Sequence, residues 1–157
     1  MGNLRFKVGD DLPIILANIA QEKLIYNLDV DCLLINGAVG IGGSVLDIPV
    51  SSLEENFDIN VFSNIKLIQM YLGHLFLENK KGRVVVMSSI AGIVPVPFLG
   101  SYSATKASLS CLTTCLRNEI RLINKDIKIK LIEPGIYNTG FNDVMIENKS
   151  KSIYFKD

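Results

Sequence analysis

The stretch Arg83-Val84-Val85-Val86-Met87-Ser88-Ser89-Ile90-Ala91-Gly92, followed ten residues later by Tyr102-Ser103-Ala104-Thr105-Lys106, decides how the rest of the chain is read. The apolar run before Ser88 reads as a strand, and the two serines and the glycine after it read as the turn in which that strand ends. Tyr102 and Lys106 stand four apart, so they share one face of the helix expected over residues 101–123. Taken alone, such a pair has a plain explanation in a Lys stem lying along a half-buried Tyr. Its setting gives it more weight.

Outward from this stretch, short aliphatic runs alternate with long amphipathic ones, the pattern of an α/β domain with a mostly parallel sheet. Strands are expected at residues 4–8, 32–35, 83–87 and 128–132. A first helix opens at Asp10 and Asp11 with Pro13 in its first turn and ends near Tyr26. A second, over 53–78, follows Ser51 and Ser52, which pair with Glu54 or Glu55 as a capping box; it buries Phe57, Val61, Ile65, Ile68, Leu72 and Leu75. The third, over 101–123, is expected to bury Ala104, Ala107, Leu112, Leu116 and Ile120.

Composition narrows the class further. The 157 residues suit one domain, 1–157, and 48% apolar against 20% charged residues exclude a disordered or coiled-coil chain. Sixteen basic side chains balance sixteen acidic ones without a run of either sign, so no electrostatic grip on nucleic acid or anionic lipid is expected. No apolar run reaches the roughly 18 residues of a membrane-spanning helix, and the start Met-Gly-Asn-Leu-Arg-Phe lacks the apolar core of a signal peptide. Three cysteines and one histidine, with no Cys-x-x-Cys, offer neither a disulfide framework nor a metal site, so a reducing cytoplasmic compartment is expected. Cys111 and Cys115 read as small buried apolar groups, and His74 as a residue on a helix surface.

Behind the last strand comes Glu133-Pro134-Gly135-Ile136-Tyr137-Asn138-Thr139. With Ser89 at a strand end, then the Tyr-x-x-x-Lys helix, then this Pro-Gly-x-x-x-Thr loop, the chain resembles the short-chain dehydrogenase/reductase family, which carries these features in this order. Asn60, in Asp58-Ile59-Asn60-Val61, is similar to that family's catalytic Asn. Leu34-Ile35-Asn36-Gly37-Ala38 is similar to its Asn-Asn-Ala-Gly segment. The resemblance spans about residues 4–142. It implies a partial Rossmann-like, doubly wound sheet in a three-layer αβα arrangement, and an NAD(P)-dependent oxidoreductase that moves hydride between a nicotinamide and a small alcohol or carbonyl substrate.

What the resemblance assigns to single residues follows. Tyr102 is the general acid/base, Lys106 its pKa tuner and a ligand of the nicotinamide ribose, Ser89 the anchor of the substrate oxygen, and Asn60 the holder of a relay water. Asn36, Ala38, Tyr102, Lys106, Pro134, Gly135, Ile136 and Thr139 face an NAD or NADP cofactor, and no metal is implied. An ammonium roughly 6 Å from the phenol, at an effective dielectric of about 20, is expected to favour the phenolate by roughly 3 kcal/mol. The helices over 53–78 and 101–123 are implied to join two copies, as a homodimer or homotetramer.

Against this, the family's opening Thr-Gly-x-x-x-Gly-x-Gly turn, which receives the cofactor pyrophosphate, has no match here, and neither does the strand that selects NAD over NADP. Gly37-Ala38-Val39-Gly40-Ile41-Gly42 imitates it, but its spacing is one residue short and no helix is expected to begin there. The chain therefore reads as a member truncated at both ends, and a second reading stands beside the enzyme: an inactive fragment or interaction subunit that holds no dinucleotide. With the family's first two strands lacking, strand 4–8 is expected to slide across and pair with strand 32–35.

Overall fold

The structure, a computed structural model, describes residues 30–135 and Tyr154. In chain order the elements are β1 (Cys32–Ile35), α1 (Val50–Phe57), a π-helical turn (Asp58–Phe62), α2 (Ser63–Leu77), β2 (Gly82–Met87), a short 3₁₀ turn (Ile90–Gly92), α3 (Gly100–Ile123) and β3 (Ile127–Ile132). The three strands form one parallel sheet in the order β1-β2-β3. Each described strand lies within one residue of its expected place. Strand 4–8, its slide toward β1, and the helix from Asp10 to Tyr26 lie outside the described residues.

Register sets the position of everything that follows. Ile35 pairs with Val86, and Met87 with Ile132, so the three strands end almost level. The ladder runs on past the strand ends: the Ser88 N–H donates to the Ile132 carbonyl at 2.8 Å, and the Ile90 N–H to the Pro134 carbonyl at 2.9 Å. Asn36, Ser88 with Ser89, and Pro134 are thereby gathered along one edge, the carboxyl end where open parallel sheets present their ligand sites.

The core lies between the sheet and the helices. Ile35, Val84, Val86, Ile127 and Ile129 meet Leu67, Ile68, Leu72 and Leu75 of α2 and Leu109 and Ile120 of α3. Burying so many aliphatic side chains, at roughly 1.5–3 kcal/mol each, is what holds these helices to the sheet. Arg83, Lys128 and Lys130, at alternate positions, are exposed. α2 stops in a Schellman motif, with Asn79 in the left-handed region (φ 49°), the Lys80 N–H on the Leu75 carbonyl and the Asn79 N–H on the Phe76 carbonyl.

Several expectations need correction. The second helix begins at Val50, three residues early, behind Pro49, and no side chain caps it; the Ser51/Ser52 capping box does not form. Pro49 stands at the N-cap in extended backbone, φ −58° and ψ 138°. The helix is also interrupted at Asp58–Phe62 by one wide turn, whose Asp58 carbonyl accepts from the Ser63 hydroxyl at 2.8 Å. His74 is buried, and Cys111 and Cys115 are exposed. In α3 the expected face was largely the wrong one. Ala104, Ala107 and Leu112 point outward, while Ser101, Tyr102, Ser103, Thr105, Lys106, Leu109 and Thr113 point in. A polar inner face is what a site, rather than a core, requires.

Candidate active site

Strand β2 delivers Ser89 to the sheet edge in extended backbone (φ −162°, ψ 154°). Its hydroxyl accepts from the Ala91 N–H at 3.1 Å, capping the 3₁₀ turn. The same hydroxyl hydrogen-bonds the Tyr102 phenol. Capping the turn takes up one lone pair of the Ser89 oxygen, and its other contact is the Tyr102 phenol.

Close packing brings the 3₁₀ turn against α3. A Cβ on Gly92 would stand 2.8 Å from the Ala107 nitrogen and from the Lys106 carbonyl carbon, so only glycine lets these backbones meet. The Ser88 hydroxyl donates to the Lys106 carbonyl at 3.0 Å. The backbone of Lys106 is thus held against the end of β2 by the 3₁₀ turn and by the Ser88 side chain.

Lys106 is 3% exposed. Its ammonium sits 5.6 Å from the centre of the Tyr102 ring and donates to the Met87 carbonyl at 3.1 Å. Burial pulls its pKa down to about 8. Tyr102 is buried too, and burial pushes its phenol above the ordinary value, a rise that the Ser89 hydrogen bond only partly offsets. The ammonium lies beside the Tyr102 ring as expected, but the expected fall in the phenol's pKa is absent. Desolvation penalises the phenolate more than these neighbours favour it.

Asn60 lies fully buried in the π turn, with its amide wholly engaged. Its Oδ1 accepts from the Val39 N–H and its Nδ2 donates to the Val39 carbonyl, both at 2.8 Å, pairing one loop residue as a strand would. The same Nδ2 reaches Asn56 Oδ1 at 2.6 Å and Thr105 Oγ1 at 3.1 Å, and Thr105 in turn donates to the Tyr102 carbonyl at 2.7 Å. Asn56 donates to Ser101 Oγ at 2.7 Å. The Asn60 side chain is the hub that ties the glycine-rich loop to the turn of α3 bearing Tyr102.

The remaining expected residues divide. Asn36, directly after β1, is exposed, and Ala38 is half-buried in the loop that Asn60 pins. Pro134 meets the start of the 3₁₀ turn through its carbonyl, with Gly135 next to it. Ile136 and Thr139 lie outside the described residues. No helix starts at the imitation phosphate loop; Gly43, with φ 145°, instead closes it by donating to the Phe98 carbonyl at 2.8 Å. Asn56, Asn64, Ser101 and Thr105 were missed. For the two asparagines the signal was in the sequence, as Asn56, Asn60 and Asn64 at a spacing of four along one helical stretch.

The model of the short chain dehydrogenase family matches residues 15–150. A probable short-chain type dehydrogenase/reductase, VdlC, of Helicobacter pylori is 34% identical over 127 residues, 79% of this chain and 45% of that protein. The 3-ketodihydrosphingosine reductase of Bacteroides thetaiotaomicron is 28% identical over 144 residues, 91% of this chain and 52% of that one. Among solved structures, a short chain dehydrogenase/reductase from Burkholderia phymatum in complex with NAD superposes with a TM-score of 0.71 at 21% identity, covering 85% of this chain and 50% of that one. Acetoin dehydrogenase from Enterobacter cloacae superposes with 0.70 at 26%, covering 84% and 51%. The chain spans about half the length of the curated relatives it matches.

Proposed function

Because this chain belongs to the short-chain dehydrogenase family, we propose that it carries the catalytic half of an NAD(P)-dependent oxidoreductase acting on a small alcohol or carbonyl compound. The observation that carries this reading is the meeting of Ser89, Tyr102 and Lys106 at the level ends of parallel strands. Neighbouring structures in complex with NAD and with NADP support a nicotinamide dinucleotide as the cofactor class.

The residues fit such a group by their donor chemistry. Among the described residues the buried Lys106 ammonium, with three N–H bonds, donates to the Met87 carbonyl alone, which leaves donors suited to ribose hydroxyls. Asn36, directly after β1, and Pro134, whose carbonyl meets the 3₁₀ turn, stand at the strand ends, with Ala38, Gly135, Ile136 and Thr139 following in sequence. When bound, the dinucleotide supplies or accepts the hydride. Tyr102, holding its proton well above neutral pH, gives it to the oxygen of a carbonyl substrate on which negative charge develops. Ser89 offers that oxygen a second O–H, already aimed because the Ala91 N–H fixes its other side. Lys106 holds positive charge beside the phenol, and Asn60 acts through structure, keeping loop and helix in register.

The same reading places the working protein in a reducing cytoplasm, supported by exposed free thiols at Cys32, Cys111 and Cys115. It joins copies as a homodimer or homotetramer through α1, α2 and α3, supported by the outward apolar face of α3. Coverage of only half of each relative keeps the second reading, a fragment that binds no dinucleotide, alongside the first. Titration with NADH and NADPH separates them: micromolar binding is expected of the enzyme, and no binding at millimolar concentration would establish the fragment. In protein that turns over, Tyr102→Phe is expected to abolish the reaction while leaving dinucleotide affinity within a few-fold; an unchanged rate would sink the role given to Tyr102.

A further inference from the structure

Asn64 lies one turn beyond Asn60 and is 1% exposed. Its Nδ2 donates to two carbonyls, that of Gly37 at 3.2 Å and that of Asn60 at 2.9 Å. Its Oδ1 is buried with no partner among the described residues. Turning the amide over would set its oxygen against both carbonyls, so the orientation is dictated by the two bonds it gives. A buried acceptor left without a donor is costly, and the next buried positions of α2, Leu67 and Ile68, are apolar. A helix needing only to pack would carry leucine here as well.

Of the two bonds, one reaches the loop at Gly37 and the other returns to the Asn60 carbonyl in the π turn. Gly37 stands between Asn36 and Ala38, and Val39 is held by Asn60, one turn before Asn64 on the same helical stretch. Beyond the end of β1 the chain has left the sheet ladder, and side chains of the π turn and α2 replace a neighbouring strand for alternate residues 37 and 39. We infer that Asn64 is a positioning residue, which holds the loop bearing Asn36 and Ala38 in the shape that a dinucleotide meets. This rests on the dinucleotide reading given above.

Hydrogen exchange of the full chain without ligand, compared between the natural protein and Asn64→Leu, tests the clamp. Amides of residues 37–39 are expected to exchange roughly tenfold faster in the variant, the factor that corresponds to one hydrogen bond, with β2 and β3 unchanged. Equal loop exchange overturns the proposal. Fluorescence titration with NADH and NADPH then tests the consequence, a similar loss of affinity in a variant whose strands exchange normally. Equal affinities overturn the positioning role, whereas a natural chain that binds neither dinucleotide overturns the reading beneath it.

If Asn64→Leu does not fold, N64D replaces it. Its protonated carboxyl keeps a donor toward the two carbonyls and its ionised form repels them, so burial and both oxygens raise its pKa. Dinucleotide affinity of N64D is therefore present below that pKa and falls as pH rises through it, while the natural protein stays level over the same range. A level N64D profile overturns the role as surely as an unchanged loop would.

Discussion

Lys106 brings an ammonium into a place almost closed to water, and the fold bears the cost. Burial lowers its pKa from 10.5 to about 8. A lysine depressed in the folded state destabilises in full below the folded value, and the penalty fades as pH rises to the unfolded one. For this fall it amounts to about 3 kcal/mol. Lys106→Met is expected to raise stability at neutral pH by about 2 kcal/mol, after subtracting about 1 for the lost bond to the Met87 carbonyl. The gain shrinks between pH 8 and 10.5. Urea denaturation across that range checks it, and a variant less stable than the parent at neutral pH would refute the assignment of cost. The identity of the pair was legible in the sequence, since a spacing of four is enough to put two side chains on one helix face. The direction in which Tyr102 titrates was not, because Coulomb attraction follows from a distance whereas desolvation follows from everything packed around the phenol.

Between elements, the tightest approach of backbone to backbone at a glycine is that of the 3₁₀ turn to α3 at Gly92. Adding one methyl there meets backbone atoms at 2.8 Å, which have nowhere to go without moving Ser89 away from Tyr102. Gly92→Ala is expected to lower stability by about 2 kcal/mol, within the range of overpacking, and to depress turnover more than dinucleotide affinity. Gly73→Ala, where the new methyl meets nothing within 4 Å, is the matched control and is expected to stabilise α2 by about 0.5–1 kcal/mol. Thermal denaturation of the two variants, with steady-state rates for the first, decides the matter: equal behaviour would deny that the turn is tightly seated. Strand positions were readable because an aliphatic run bounded by turn residues is a local signal. The π turn was not, since one extra residue in a helical turn has no mark in composition, and its reason, Asn60 reaching Val39, joins residues 21 apart.

Over the whole molecule, the first turns of α3 turn polar side chains inward and leave apolar ones outside, while Leu109 and Ile120 still join the core. Leu112 is 43% exposed and Phe62, on the π turn, 59% exposed, with Ala104, Ala107, Cys111 and Cys115 also facing outward. If these helices join copies, Leu112→Glu combined with Phe62→Glu is expected to shift the protein to monomer in sedimentation velocity, while the sheet's circular dichroism is unchanged. An association state identical to the parent's would show that the apolar face serves something else. The same face explains the misreading of α3, since hydrophobic periodicity finds an apolar stripe but not which way it points. The alternation of aliphatic and amphipathic runs, and with it the fold class, the strand positions and the Tyr102–Lys106 pair, was determined by the order of residues alone, since helix and strand periods act between near neighbours. Which face of α3 turns inward, where Asn60 spends its amide, and how Tyr102 and Lys106 titrate were decided only by the tertiary structure. Each depends on burial, which belongs not to a residue but to the distant segments that close over it.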